Sequence, residues 1–167
     1  MSDGQSDIAR WGVQLSLQVH NRSVEHGLSQ DRYRRRSLWI SVVGAAAAAT
    51  AGASLLSDWP EWVAILGFLS ALLALLEPVF GYAKQAEAHR VAESSWGELG
   101  TSYYNLQYLS DREQQLKALQ ELTLYQERLA KESVSVEKWA IRKRESEERR
   151  KRELEERRRR HGGGVMA

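Results

Sequence analysis

Between positions 7 and 30 the apolar residues Ile8, Trp11, Leu15 and Val19 recur at intervals of three and four, which places them in one stripe on a helix. An amphipathic helix, cytoplasmic or interfacial, is predicted there. Gly27 and the polar residues after it are expected to end or bend that helix ahead of the basic cluster Arg32, Tyr33, Arg34, Arg35, Arg36.

The periodicity then gives way to unbroken apolar sequence. Ser37 to Leu56 reads SLWISVVGAAAAATAGASLL, 20 residues without a charge, or about 30 Å of helix and one hydrocarbon thickness. Alanine adds little to insertion, so the drive comes from Leu38, Trp39, Ile40, Val42, Val43, Leu55 and Leu56. This weak span calls for a stronger neighbour. One follows the turn Ser57, Asp58, Trp59, Pro60, Glu61: Trp62 to Tyr82 reads WVAILGFLSALLALLEPVFGY, with Trp59, Trp62 and Tyr82 where interfacial aromatic belts sit. The expected fold is an all-α membrane protein, a two-transmembrane helical hairpin with an N-terminal amphipathic helix and long cytoplasmic C-terminal helices. The rival is a soluble bundle that buries the Ala-rich helix among neighbours.

Arg32, Arg34, Arg35 and Arg36 precede the first span and Lys84 and Arg90 follow the second, whereas the turn holds only Asp58 and Glu61. The excess of basic residues on one side predicts that both termini of a multi-pass membrane protein face the cytoplasm. The first 30 residues lack the basic start and short apolar run of a signal peptide, so they are expected to remain in the mature chain.

Beyond the hairpin, residues 83–99 suit a helix that continues the second span, with Gly97 and Gly100 marking its end. Ser110, Asp111, Arg112, Glu113 matches a capping box and predicts a helix start. Leu122, Tyr125, Leu129, Val136 and Trp139 then follow a period near 3.5, interrupted by Glu132, which suits coiled-coil packing on another helix. Acidic and basic blocks in 142–160 place opposite charges three and four residues apart, as in a solvated helix. The organisation is therefore residues 1–36 as leading helix and basic flank, 37–82 as hairpin, 83–141 as cytoplasmic helical region, and 142–167 as charged tail with a frayed end.

Charge and composition sharpen this picture locally. The mean hydropathy of −0.51 averages an apolar centre with very polar ends. Arg142 to Arg160 holds 11 of the 24 Lys and Arg and 6 of the 22 acidic residues, so the remainder is slightly acidic. The tail's glutamates weaken its field and no aromatic residue interleaves it, which argues against a specific nucleic-acid partner and favours anionic headgroups. With no cysteine there is no disulfide, thiolate zinc site or cysteine nucleophile. His20, His26, His89 and His161 are scattered and read as surface residues. No cofactor, metal or catalytic site is expected, and no enzyme. Ser41, Thr50, Ser54 and Ser70 are expected to bond back to their own helices.

Gly44, Ala48 and Gly52 repeat every four residues, and Gly67 with Ala71 offers a matching patch in the second span. Such small-residue rows let helices approach closely, either within one hairpin or between copies in a homo-oligomer. Two spans cannot enclose a pore, so a channel would need several subunits. Glu77 and Pro78 interrupt the second span. The proline lacks the N–H that would donate to the Ala74 carbonyl and is expected to kink the helix. The carboxylate either faces water in an assembly or snorkels to the headgroups.

Trp11 in the leading helix, Tyr33 to Arg36 before the first span, the hairpin Ser37 to Tyr82, and residues 83–99 with His89 and Trp96 together make a layout over residues 8–130 that resembles the SLATT family. These are two-transmembrane effector domains found beside bacterial second-messenger synthases and nucleotide-sensing SLOG proteins. The resemblance implies an effector of an antiphage conflict system of the CBASS kind, which breaches the inner membrane on a cytoplasmic nucleotide-linked signal. It further implies a synthase or sensor protein encoded nearby as partner. A holin-like two-span pore former and a non-conducting membrane scaffold are the other readings. No ligand-binding residue carries over, and the tail after Trp139 lies outside the resemblance.

Overall fold

The computed structural model describes the backbone of residues 3–54 and 62–162; within these, the side chains of 3–6, 53–54, 62–64, 66, 77–78, 158 and 160–162 are outside the described set. The expected turn at 57–61, Leu55, Leu56 and the end at 163–167 therefore lie outside the described residues. Every described element is helical: α1 (Asp3–Ser54), α2 (Trp62–Phe80), α3 (Tyr82–Asn105), a 3-10 turn (Leu106–Tyr108), α4 (Arg112–Glu132) and α5 (Lys138–Gly162). The chain is all-α over this range. It divides into two compact units, Met1–His26 with Ala92–Ala167, and Gly27–Val91.

In the first unit, Val19, Ala92, Trp96, Leu99, Tyr103, Leu106 and Leu129 form the core. Its α1 and α3 segments run antiparallel and very close. A Cβ at Gly12 would lie 2.8 Å from the Tyr103 carbonyl oxygen, and one at Gly100 would lie 3.5 Å from that of Ser16. Ser23 Oγ donates to the Glu93 carbonyl at 2.9 Å. Gly97 and Gly100 thus sit inside α3 as points of contact and do not end it. The expected stripe is also rotated: Val19 is buried and Leu15 packs on the core, but Trp11 is 61% exposed and Gly12 and Ser16 take the inward positions. Close approach selects the small neighbour over the large apolar one.

Polar bonds lock the C-terminal elements onto this core. Gln115 Nε2 donates to the carbonyls of Leu106 and Leu109, at 3.2 and 2.7 Å, stapling the 3-10 turn to α4. Tyr103 Oη donates to Gln126 Oε1 at 2.9 Å. The cap of α4 is Asp111, which accepts from the Glu113 amide at 3.2 Å; it lies one residue after the expected Ser110. Helix α4 stops at Glu132, so Leu129 and Val136 are not on one continuous helix, and no single seam runs from Leu122 to Trp139. Glu25, with a side chain 5% exposed, receives Arg22 Nη1 at 3.3 Å and faces Arg144 Nε at 3.1 Å. Helix α5 carries the expected ladder, with Arg144 to Glu148 at 2.9 Å and Lys143 to Glu147 at 3.9 Å.

In the second unit, α1 passes through Gly27 without a break; an interior glycine costs about 1 kcal/mol, too little to end a long packed helix. Nor does Pro78 end α2, which stays helical to Phe80. The break is Gly81, whose φ of 59° is open to glycine and costly for other residues. Gln85 Nε2 then donates to the Phe80 carbonyl at 2.9 Å, satisfying an acceptor that the end of α2 leaves free. Tyr33 stacks on Tyr82 and on His89, with centroids 6.2 and 5.5 Å apart, and Arg36 lies over both tyrosines.

Two of the four histidines depart from the surface reading. His26 and His89 are 2% and 3% exposed. Packing places them there: His89 lies against Tyr33, and His26 falls on the inward side of α1. Neither position was signalled by local spacing.

Candidate functional site: a small-residue seam with an apolar exterior

The seam between α1 and α2 is built from small residues, as the sequence suggests, but not from the same row. Four-residue steps on a helix of 3.6 residues per turn advance by about 40° each, so Gly44, Ala48 and Gly52 drift off one face. Gly44 stays in the seam, half-buried, while Ala48 and Gly52 are exposed and a Cβ at Gly52 would meet nothing within 4 Å. Ala47 and Ala51 replace them. Steps of three and four alternate to hold direction, and a Cβ on Gly67 would lie 3.1 Å from that of Ala51. On α2, Ala71 is exposed and Ser70 takes its place, 8% exposed.

Ser70 Oγ donates to the Gly44 carbonyl at 2.8 Å. The expectation that it bonds within its own helix is corrected here, because the absent side chain of Gly44 brings the α1 backbone within reach. Thr50 does bond back, to the Ala46 carbonyl at 2.9 Å. A cavity of about 340 Å³ lies along the seam, lined by Ser41, Gly44, Ala48, Ser70 and Leu73 among others. Small side chains do not fill the space between the two helices.

Outside the seam the chemistry inverts. Ile65, Phe68, Leu72, Leu75 and Val79 are exposed at 59, 67, 43, 62 and 75%, and their spacing of three and four places them in one stripe. Leu38, Trp39, Val42 and Val43 extend the exposed apolar surface onto α1. A soluble monomer rarely leaves such a contiguous patch uncovered. Among the described residues no helix is long and apolar enough to cross a membrane. The apolar stretches 37–56 and 62–82 include positions outside that set, Leu55 and Leu56 at the end of the first and the side chains of Glu77 and Pro78 in the second.

At the far end of this unit, Arg90 donates to both carboxylate oxygens of Glu87, at 2.8 and 2.6 Å. The guanidinium holds the Glu87 carboxyl below its usual range. No cluster of three or more metal-ligating side chains occurs among the described residues. Comparison with family models, with curated proteins and with solved structures finds no match.

Proposed function

We propose that this chain is a helical-hairpin protein embedded in the bacterial inner membrane, where copies associate and breach or distort the bilayer as the effector of an antiphage conflict system. The observation that carries the membrane part is the inversion in residues 27–91. Small and polar groups, Gly44, Ala51, Gly67 and Ser70, make the helix contact, and large apolar ones face outward. In water the hydrophobic effect drives the opposite arrangement. In lipid, close backbone approach and interhelical hydrogen bonds hold helices together, since tails solvate leucine as well as another helix does.

The effector role rests on the resemblance to SLATT domains and on the surplus of small residues. Gly52 and Ala71 lie outside the intramolecular seam, which leaves them for contact with a second copy. The orientation rests on the arginines at 32–36. The test is inducible expression with a membrane-potential dye. The expected result is depolarisation that requires the neighbouring synthase or sensor gene. An embedded protein that never depolarises the membrane, with or without those genes, would leave a scaffold in place of an effector.

A further inference from the structure

A cavity of about 560 Å³ lies between α1 and α3 within residues 27–91. Its walls are two matched helix faces. Arg34, Ser37 and Leu38 stand at the spacing that shares one face of α1, and Ala83, Ala86, Glu87 and Arg90 do the same on α3. The helices run antiparallel here, since Tyr33 stacks on both Tyr82 and His89 while Arg36, one turn later, lies over Tyr82. Tyr33 is centred between Tyr82 and His89, so Arg34 lies level with the stretch from Ala83 to Glu87, with Arg90 beyond it on the Gln30 side and Leu38 toward the Tyr82 end.

The cavity is thus polar and cationic at one end and apolar at the other. Two guanidiniums and one carboxylate leave a net positive charge at the polar end. Alanines on the α3 wall make the room. The gradient runs along the helices in the direction in which α1 passes from its arginines into its apolar stretch.

We propose that this cavity binds the phosphate headgroup of an anionic phospholipid, with Arg34 and Arg90 on the phosphate and the glycerol and first chain carbons against Leu38 and Ala86. The inference rests on the membrane-embedded reading. An amphiphile fits because both the charge and the wetting of the cavity change along one axis, which a free phosphate would not use. Basic pockets between membrane helices on the cytoplasmic side hold such headgroups by the same electrostatics. Glu87 tunes the site. It engages Arg90 through two hydrogen bonds, so a bound phosphate shares that guanidinium with a carboxylate.

Full-length protein reconstituted with equal phosphatidylglycerol and phosphatidylcholine, then released into mild detergent, tests this through the lipids retained in native mass spectrometry. Wild type should retain phosphatidylglycerol over phosphatidylcholine. Arg34→Gln should lower that preference about fivefold, the effect of one arginine near a phosphate, and Glu87→Gln should raise it. Arg35→Gln changes the net charge equally but lies outside the cavity wall, and should leave the preference as it is. Equal losses in Arg34→Gln and Arg35→Gln would mean general surface charge and overturn the site. Displacement of the lipid by millimolar inorganic phosphate would also overturn it, showing an anion site with no use for a chain. Alkaline carbonate extraction of the same wild-type membranes separates the two failures. A protein that washes off overturns the membrane reading as well, whereas one that stays embedded without lipid preference overturns the cavity proposal alone.

Discussion

Ser70 of α2 donates its hydroxyl to the carbonyl of Gly44 in α1 at 2.8 Å, a contact possible because residue 44 has no side chain to hold the backbones apart. Around this bond the hairpin is narrow, small and polar, and outward of it the helices are wide and apolar. Ser70→Ala should cost about 1 kcal/mol, the range of interhelical hydrogen bonds in membranes. Midpoints of unfolding in mixed micelles against wild type measure it.

Enlarging small residues should separate packing within the hairpin from the proposed contact between copies. Gly67→Val places a Cβ 3.1 Å from that of Ala51 and adds two methyls beyond it, so hairpin stability should fall by about 1–3 kcal/mol, the usual cost of overpacking. Gly52→Leu meets open space and should leave the hairpin's own stability within about 0.5 kcal/mol. If Gly52→Leu nonetheless abolishes cross-linked oligomers at equal expression, Gly52 belongs to the contact between copies.

Two glycines elsewhere should be intolerant for different reasons. Gly81→Ala forces φ of 59° on a residue with a Cβ, at about 1–2 kcal/mol. Gly12→Ala puts a carbon 2.8 Å from the Tyr103 carbonyl oxygen, a backbone atom that cannot swing aside, and should cost about 1–3 kcal/mol. Urea midpoints, with Gly97→Ala as the lenient comparison at 3.6 Å from Ser23 Oγ, give the order.

Removing Glu25 should matter more than any exposed pair. Glu25→Gln removes the buried carboxylate that faces Arg144, whose side chain is only 17% exposed, and leaves that guanidinium the more exposed Glu148. The loss should be about 2 kcal/mol, less than for a fully buried pair, whereas Glu147→Gln on the surface of α5 should cost under about 0.5 kcal/mol. Thermal unfolding followed by circular dichroism compares the two.

Much of the secondary structure was legible because apolar blocks and charge ladders are local signals. What was not legible depended on partners. Trp11 fits a helical stripe as well as Val19 does, and only the approach of Tyr103 to Gly12 decides that the stripe turns away from the tryptophan. Gly97 and Gly100 look like terminators until α1 lies against them. Gly81, which looked like part of the span, is the true break, because a positive φ leaves no mark on hydropathy. In the hairpin the four-residue row was the right residue type at the wrong pitch, and Ala47, Ala51 and Ser70 could have been found by stepping alternately three and four from Gly44 and Gly67.

The most direct measurement of the proposed membrane-embedded hairpin is the environment of the exposed α2 stripe in protein reconstituted with lipid. A spin label at Phe68, which is 67% exposed, should relax strongly with oxygen and little with a water-soluble nickel chelate, as lipid-facing sites do. A label at Leu124, 66% exposed in the other unit, should show the reverse. Equal access of the nickel chelate to both sites would place the α2 stripe in water and contradict the membrane-embedded hairpin.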